Sequence, residues 1–259
     1  MSEIHPTAII DPRAELSPAV KIGPYVIIQG EVKIGSGTQI GPHTLMEGPC
    51  AIGRDNQIGA FVHIGGAPQH LQYRGEETIV RIGDQNQIRE FVTIHRGTAL
   101  GKGETIIGNQ NFLMVGTHIA HDCIIGSNII MANYVQLAGH CRIDDHAVFG
   151  GICGVHQHCR IGRGVMVGGL SGVEMDVPPF SLVAGARARF IGLNRIGLKR
   201  MGIPEPTVQA LKKTYRIIQG SNLLLKDALK KVEQEFGKVP EVQEIILFFQ
   251  TSQRGVIRK

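Results

Sequence analysis

One large apolar residue recurs at every sixth position along most of the chain. A helix would space its apolar residues three and four apart, and a half-buried strand would alternate every two residues. A step of six, commonly followed by Gly, instead predicts a short strand and a tight corner, with the apolar side chain pointing inward. Two runs offset by one residue carry the period: Ile4, Ile10, Leu16, Ile22, Ile28, Ile34, Ile40, Met46, Ile52, Ile58, Ile64, Ile82, Ile88, Ile94 and Leu100, then Ile107, Leu113, Ile119, Ile125, Met131, Leu137, Ile143, Phe149, Val155, Ile161, Val167 and Val173.

Three six-residue blocks would close one triangular coil of about 18 residues, and coils stacked about 4.8 Å apart would pair strand with strand. The chain contains 34 glycines. We attribute many of them to the positive φ values that repeated corners demand. Blocks such as IGPYVI, IGSGTQ and IGRGVM resemble the hexapeptide repeats of the acyltransferase superfamily. The resemblance implies a left-handed parallel β-helix over about the first 186 residues.

The sixfold period stops after Pro178 and Pro179, and helical spacing replaces it. Apolar residues three and four apart predict helices in 207–220, 222–236 and 241–252. We therefore divide the chain into a β-helix domain, residues 1–186, and a small C-terminal α-helical domain, residues 187–259.

Charge separates the same two regions. Residues from 187 onward contain 15 Lys and Arg against 6 Asp and Glu, whereas the whole chain has a net charge of only +5. A basic domain on an acidic body predicts an anionic partner, such as a phosphorylated ligand, an acidic protein or nucleic acid, although a solvated basic surface would look the same. Nucleic acid is disfavoured because aromatic residues are only 5% of the chain and no recognised binding motif is present.

Cysteine usage and hydropathy bear on location. The five cysteines form no CxxC pair, and an odd number argues against a disulfide framework. No apolar stretch reaches the ~18 residues of a membrane span, and no charged apolar leader opens the chain. These features predict a cytoplasmic protein without a membrane span.

The repeat is interrupted twice. Residues 65–81 stand in place of three blocks without loss of phase, which predicts a loop that leaves the β-helix. A second interruption, GKGE at 101–104, could be only a turn. Long loops on a rigid scaffold often carry binding residues, although passive surface loops are nearly as common.

Histidines crowd the middle of the chain, and the segment HIAHD contains His118, His121 and Asp122. A carboxylate beside an imidazole can fix its tautomer and make a general base that works near neutral pH. One coil of 18 residues beyond His121 lies Gly139, whose N–H could stabilise an oxyanion. Two alternatives remain open from the residues alone: outward-facing histidines without a role, and a zinc site at a subunit interface.

Several strings occur in an order and spacing that resemble the UDP-N-acetylglucosamine O-acyltransferase family along the entire chain: VTIHRGT, NFLMVGTHIAHDC, LAGH, VHQHC, VMVGG, DVPP and GLNRIGLKR. The resemblance implies transfer of a 3-hydroxyacyl group from acyl carrier protein to the 3-position of a UDP-amino sugar, the first step of lipid A biosynthesis. It further implies a homotrimer, with each active site in a cleft between β-helices and no metal or cofactor. The basic tail would dock the acidic carrier protein.

The same resemblance implies roles for individual residues. His121 would be the general base, Asp122 would orient it, and Gly139 would donate to the oxyanion. Gly169 would set how far the acyl chain extends, and its missing side chain implies room for a longer one. The substrate-binding residues would be Gln69, His70, Gln72, His118, His140, His156, Gln157, Asn194 and Arg200.

The chain departs from the family pattern near the acceptor. His70 and Gln72 stand where family members commonly have Asp and Lys, and Ile196 and Met201 stand where an acidic residue and a second Arg are frequent. These departures could be drift at an exposed rim. They could also alter the acceptor to a 3-amino-3-deoxy sugar, which would give an amide, and a related hexapeptide N-acyltransferase is the neighbouring hypothesis. A non-catalytic scaffold would not need HIAHD and the later histidines in this spacing.

Overall fold

The computed structural model describes residues 3–258. Within them, most of the chain winds into a parallel β-helix whose coils each contribute one short strand to three sheets, here named A, B and C. Sheet A contains β1 (Glu3–Ile4), β4 (Lys21–Ile22), β7 (Gln39–Ile40), β10 (Gln57–Ile58), β13 (Gln87–Ile88), β16 (Phe112–Leu113), β19 (Ile130–Met131), β22 (Val148–Phe149), β25 (Met166–Val167), β27 (Ser181–Ala184) and β28 (Arg189–Leu193). Sheet B contains β2 (Ile9–Ile10), β5 (Ile27–Gln29), β8 (Leu45–Glu47), β11 (His63–Gly66), β14 (Thr93–His95), β17 (His118–Ile119), β20 (Gln136–Leu137), β23 (Gly154–Val155) and β26 (Gly172–Val173). Sheet C contains β3 (Glu15–Leu16), β6 (Val32–Ile34), β9 (Cys50–Ile52), β12 (Ile79–Ile82), β15 (Glu104–Ile107), β18 (Ile124–Ile125), β21 (Arg142–Ile143) and β24 (Arg160–Ile161).

The sixfold positions form the core of this β-helix. Each stacks on its counterpart in the next coil, as Ile22 does on Ile40 and Ile119 on Leu137, so the stacks run the length of the fold. Ile64, Ile119 and Leu137 are completely buried. The fold class predicted from the repeat is confirmed.

Glycines serve the corners in a way that differs from our prediction. Left-handed backbone occurs three positions after the inward residue, and non-glycine residues such as Tyr25, His43 and Asp55 adopt it. The glycine directly after the inward residue is needed for another reason. A Cβ on Gly35 or Gly41 would lie 2.6 Å from a backbone carbon of the next coil. Close approach between coils, and not positive φ, requires glycine there.

The first interruption lengthens a single coil. Ile52 pairs with Ile82, thirty residues away, where an ordinary coil spans eighteen. Strand β11 continues to Gly66 and β12 begins at Ile79, so the segment outside the strands is 67–78, shorter than the interval 65–81 read from the repeat. Here this segment is called the long loop.

The second interruption is larger than its sequence indicates. Ile82 pairs with Ile107, twenty-five residues away, so this coil holds seven extra residues. They lie between β14 and β15, within residues 96–103, and this segment is here called the short loop. Our prediction that Leu100 continues the core is wrong, because Leu100 lies in the short loop and is 68% exposed.

The C-terminal region is helical. The antiparallel pair β27–β28 leads into α1 (Arg195–Arg200), α2 (Glu205–Gly220), α3 (Leu225–Phe236) and α4 (Pro240–Thr251). After α4 the chain returns to the β-helix, where Val256 forms a bridge with Asp176. Among residues 3–258, no helix combines the length and the apolar character that crossing a membrane requires.

Candidate active site

His121 and Asp122 form a buried pair at the corner between β17 and β18. His121 Nδ1 lies 2.8 Å from Asp122 Oδ2, and the Asp122 side chain is only 2% exposed. A carboxylate only accepts hydrogen bonds, so Nδ1 carries a proton, and in the neutral ring Nε2 is the nitrogen that can accept one. The pair can therefore accept a proton at Nε2 and stabilise the imidazolium that results.

The short loop holds the Asp122 carboxylate from the other side. Thr98 donates its backbone N–H to both carboxylate oxygens, at 3.0 and 3.2 Å, and its hydroxyl at 2.7 Å. A Cβ on Gly101 would overlap the same carboxylate. Burial alone would raise the pKa of Asp122, but the hydrogen bonds from His121 and Thr98 outweigh it and the pKa is lowered. Asp122 is thereby kept ionised beside His121.

Gly139 lies against the His121 ring, one coil further on. A Cβ at Gly139 would sit 2.5 Å from Cε1 and 2.8 Å from Nε2 of His121, so only glycine leaves room for this imidazole. His140 donates its N–H to the carbonyl of His121 at 3.0 Å, which fixes the two corners together. Within the described chain, the Gly139 N–H has no acceptor, and it can therefore serve an oxygen of a ligand.

His121 belongs to a column of four imidazoles. The rings of His70 and His140 meet it edge-on, with centroids 5.1 and 5.0 Å away, and His158 stacks on His140 at 4.5 Å. His140 Nε2 lies 3.8 Å from Asp122 Oδ2. Burial and the neighbouring histidines lower the pKa of His140, against the attraction of Asp122. His70 thus reaches the site from the long loop.

A second column runs along sheet B. His118 bonds Thr93 Oγ1 through Nδ1 at 2.7 Å and meets the ring of His95 edge-on at 5.1 Å. Burial lowers the pKa of His118, and burial together with neighbouring histidines lowers that of His95 to about 4. His63 follows, 6.4 Å from His95. His63 and His95 were missed from the sequence, although their places in β11 and β14 put them two coils and one coil from His118.

A groove of about 590 Å³ opens beside His121. It brings together Gln69, His118, His121, Gly139, His156 and Gln157, all of which were candidates from the sequence. Gln72 stays outside the groove, on the exposed long loop, where its N–H donates to His70 Nδ1 at 3.3 Å.

Asn194 and Arg200 lie elsewhere on the chain. They line a pocket of about 660 Å³ over sheet A, together with Ile196 and Met201. Asn194 caps α1 by accepting from Gly197 N at 2.9 Å, and its amide donates to Gly164 O at 3.0 Å. The Arg200 side chain is exposed and has no hydrogen-bond or ion-pair partner within residues 3–258. A single chain therefore does not bring this pocket to His121.

Gly169 lies at the corner between β25 and β26 and is exposed. The nearest atom to a Cβ built there would be Gly151 O, at 3.4 Å. A side chain would fit without steric conflict, so the space beside Gly169 is open to solvent.

Within residues 3–258, one group of side chains could bind a metal ion. His121, Asp122 and His140 offer ligand atoms that all lie within 4.8 Å of one another. Asp122 already accepts hydrogen bonds from His121 and Thr98. The present geometry is thus that of a hydrogen-bonded imidazole–carboxylate pair.

The hexapeptide coils and the His–Asp pair beside a corner glycine define a hexapeptide-repeat acyltransferase. Models of two families match the chain: "Bacterial transferase hexapeptide (six repeats)" at residues 31–66, and "Udp N-acetylglucosamine O-acyltransferase; Domain 2" at residues 176–257. The chain is 48% identical over 258 residues to acyl-[acyl-carrier-protein]–UDP-N-acetylglucosamine O-acyltransferase of Thermodesulfovibrio yellowstonii, with 100% of both chains covered. It is 53% identical to the protein of that name from Trichlorobacter lovleyi, covering 98% of this chain and 99% of the relative. The chain therefore belongs to the UDP-N-acetylglucosamine O-acyltransferase family.

Solved structures of the family are similar to this chain along its length. The UDP-N-acetylglucosamine O-acyltransferase of Moraxella catarrhalis superposes with a TM-score of 0.95 at 43% identity, covering 98% of this chain and 99% of the other. The UDP-N-acetylglucosamine acyltransferase of Arabidopsis superposes with a TM-score of 0.86 at 35% identity, covering 99% and 100%. The match extends over the β-helix and the helical region together.

Proposed function

We propose that this protein transfers a 3-hydroxyacyl group from acyl carrier protein to the 3-hydroxyl of UDP-N-acetylglucosamine, the first step of lipid A biosynthesis. The observation that carries the proposal is the buried His121–Asp122 pair, with Nε2 of His121 on the groove that Gly139, His156 and Gln157 also line. The relatives that are about half identical along the full chain are named for this reaction.

Asp122 holds His121 with its proton on Nδ1, so Nε2 removes the proton from the sugar 3-hydroxyl as its oxygen attacks the thioester carbonyl. The tetrahedral oxyanion accepts the Gly139 N–H. Collapse of the intermediate breaks the carbon–sulfur bond, and the proton passes from His121 to the departing thiolate. The acyl group moves directly between substrates, without an acyl-enzyme.

The hydroxyl acceptor is favoured over the 3-amino sugar. The relatives are named as O-acyltransferases of UDP-N-acetylglucosamine, and they give the amide-forming alternative no support. The His70 ring is in contact with the proposed base, but nothing in that contact selects an amine.

A homotrimer is part of the proposal. The His121 groove opens on sheet B, whereas Asn194 and Arg200 lie over sheet A. Sheets A and B meet along one edge of the β-helix. If three copies place this edge around a common axis, sheet B of each copy faces sheet A of the next, and the interface closes as a ring. The groove and the pocket would then share one cleft.

Exposed apolar side chains along that edge support this arrangement. Four rings at successive corners stack on one another, with centroids 5.1, 4.9 and 5.4 Å apart. Three apolar side chains occupy the same corner position in later coils. The edge ladder, as we name it, consists of Tyr25, His43, Phe61, Phe91, Tyr134, Ile152 and Leu170. The ladder is interrupted at Gly116, but a largely apolar edge of this length is typical of a surface that another chain covers.

Acyl carrier protein would dock on the basic C-terminal helices. Arg195, Lys199 and Arg200 lie together beside a cavity that adjoins the sheet A pocket, and the region from residue 187 onward has a net charge of +9. A cationic surface beside the cleft would attract an acidic carrier protein and speed its encounter. A reaction that uses acyl carrier protein would take place in the cytoplasm.

His121→Ala tests the proposal directly, with acyl carrier protein thioester and UDP-N-acetylglucosamine as substrates. We expect kcat to fall by about 10²-fold or more, the usual contribution of a general base. His5→Ala is the control, because the His5 side chain is exposed in the first coil and bonds only Thr7 within residues 3–258. Near-normal turnover by His121→Ala would reject the assignment of the base, and an inactive wild-type protein would reject the reaction itself.

A further inference from the structure

The segment after α4 reaches the wall of the groove. Val256 bridges to Asp176, and Ile257 donates its N–H to Asp176 O at 2.8 Å; both side chains are buried. These contacts bring Arg254 beside the last coils, where its Nε donates to Glu174 O at 2.9 Å. The position of Arg254 is thus set by the returning tail.

Arg254 bonds a residue of the groove. Its Nη2 lies 2.7 Å from Nδ1 of His156. A guanidinium only donates, so Nδ1 must be the acceptor and the ring proton of neutral His156 must lie on Nε2. The same Nδ1 also lies 3.2 Å from Gln157 O, a contact that requires a proton on Nδ1. The two contacts demand opposite tautomers, and the shorter one belongs to Arg254.

We infer that Arg254 is a positioning residue that holds His156 in the tautomer with Nε2–H, and so makes His156 a hydrogen-bond donor to a substrate oxygen in the groove. Without Arg254, the carbonyl of Gln157 would draw the proton to Nδ1 and leave Nε2 as an acceptor. With Nε2 as an acceptor, His156 could not donate a hydrogen bond to a carbonyl or phosphate oxygen of the substrates, because those oxygens also accept. The inference rests on the proposed function, since it concerns the same groove.

A double-mutant cycle separates this role from a structural one. Arg254→Met removes the donor, and we expect kcat/KM to fall about tenfold, the loss expected for one charged hydrogen bond. Arg254→Lys, which keeps a cationic donor, should recover part of that loss. His156→Gln carries an amide N–H near the place of Nε2–H without needing Arg254. In that background Arg254→Met should change kcat/KM by less than about twofold.

Arg258→Met is the matched control. Arg258 lies on the same tail and bonds Ile218 O at 2.9 Å, away from His156, so its loss should leave kcat/KM unchanged. If Arg254→Met costs the same in both backgrounds, or if Arg258→Met reproduces its effect, the tautomer role is overturned.

A measurement without substrate distinguishes this inference from the proposed function. In protein with 15N-labelled histidine rings, protonated and unprotonated ring nitrogens resonate in separate regions, and His156→Gln identifies the His156 signals. We expect an unprotonated Nδ1 in the wild type and a protonated one in Arg254→Met. A protonated Nδ1 in the wild type refutes the inference even if the enzyme is active. The expected tautomer in a protein that does not acylate the sugar would refute the proposed function alone.

Discussion

The buried side chain of His95 has a lowered pKa that affects the stability of the fold. Its ring is packed between His63 and His118, and Nδ1 has no partner within residues 3–258. Burial is the main cause that lowers its pKa to about 4, and the neighbouring histidines add to it. A protonated ring there would be a charge beside two other imidazoles without a counter-ion. The column along sheet B therefore keeps His95 neutral at neutral pH.

The pKa of His95 makes stability depend on pH. An unfolded histidine binds a proton near pH 6.5, whereas His95 in the folded protein binds one only near pH 4. The unfolded state therefore binds more protons between these values, and the stability present above pH 6.5 is lost as the pH falls towards 4. We expect this single group to contribute a loss of up to about 3 kcal/mol.

Urea denaturation at pH 7.5 and pH 5 measures this effect. His95→Gln should lose less stability over that interval than the wild type, whereas His5→Gln, a change at an exposed ring, should behave as the wild type does. Equal losses in all three proteins would show that His95 is not held neutral by the fold.

Part of this site could be predicted from the sequence, and the rest could not, for a physical reason. Gly139 follows from His121 because both lie in regular coils, where an offset of 18 residues is an offset of one strand spacing. Thr98 and Arg254 come from the short loop and the tail, which have no register. Their contacts depend on how irregular backbone folds back, and no period in the sequence encodes that path.

At the scale of the element, each corner has two separate constraints at two positions: close approach of the next coil at one, and left-handed backbone at the other. Where a glycine follows the inward position, as at Gly35 and Gly41, the next coil approaches it too closely for a side chain, whereas the left-handed position accepts Tyr, Phe, His or Asp. The sixfold period predicts that corners exist, but it does not separate crowding from backbone conformation. Leu100 likewise has the sixfold spacing of an inward residue, but it lies in the short loop and is exposed.

Gly41→Ala tests the crowding. Its Cβ would lie 2.6 Å from the carbonyl carbon of Gly59, so the coils must separate there, and we expect a loss of about 1–3 kcal/mol, as overpacking usually costs. Gly192→Ala is the control, because no atom beyond its chain neighbours lies within 4 Å of the place its methyl group would take, and its φ is not positive. Thermal denaturation should show a lower midpoint for Gly41→Ala and an unchanged one for Gly192→Ala. Equal midpoints for Gly41→Ala and the wild type would contradict the role of close approach.

At the scale of the whole molecule, the distribution of the site over two faces is the central feature. The proton acceptor lies at the corner of sheets B and C, and the basic pocket lies over sheet A. Neither face alone presents both the His121–Asp122 pair and the free Arg200. Within the proposed trimer, each cleft is completed by two copies, so assembly and activity would be lost together.

Charged substitutions in the edge ladder test whether activity depends on assembly of the trimer. In Phe61→Asp with Phe91→Asp, two carboxylates replace two exposed rings whose centroids are 5.4 Å apart and that do not line the His121 groove. Burying these charges at an interface would be costly, so we expect the trimer to dissociate and turnover to be lost. Sedimentation velocity measures the assembly, and circular dichroism should show that the β-helix is kept. Leu247→Asp, a charge at an exposed apolar position on α4, should leave a trimer with normal turnover. A charged edge ladder in a protein that still sediments as a trimer would mean that another face forms the interface.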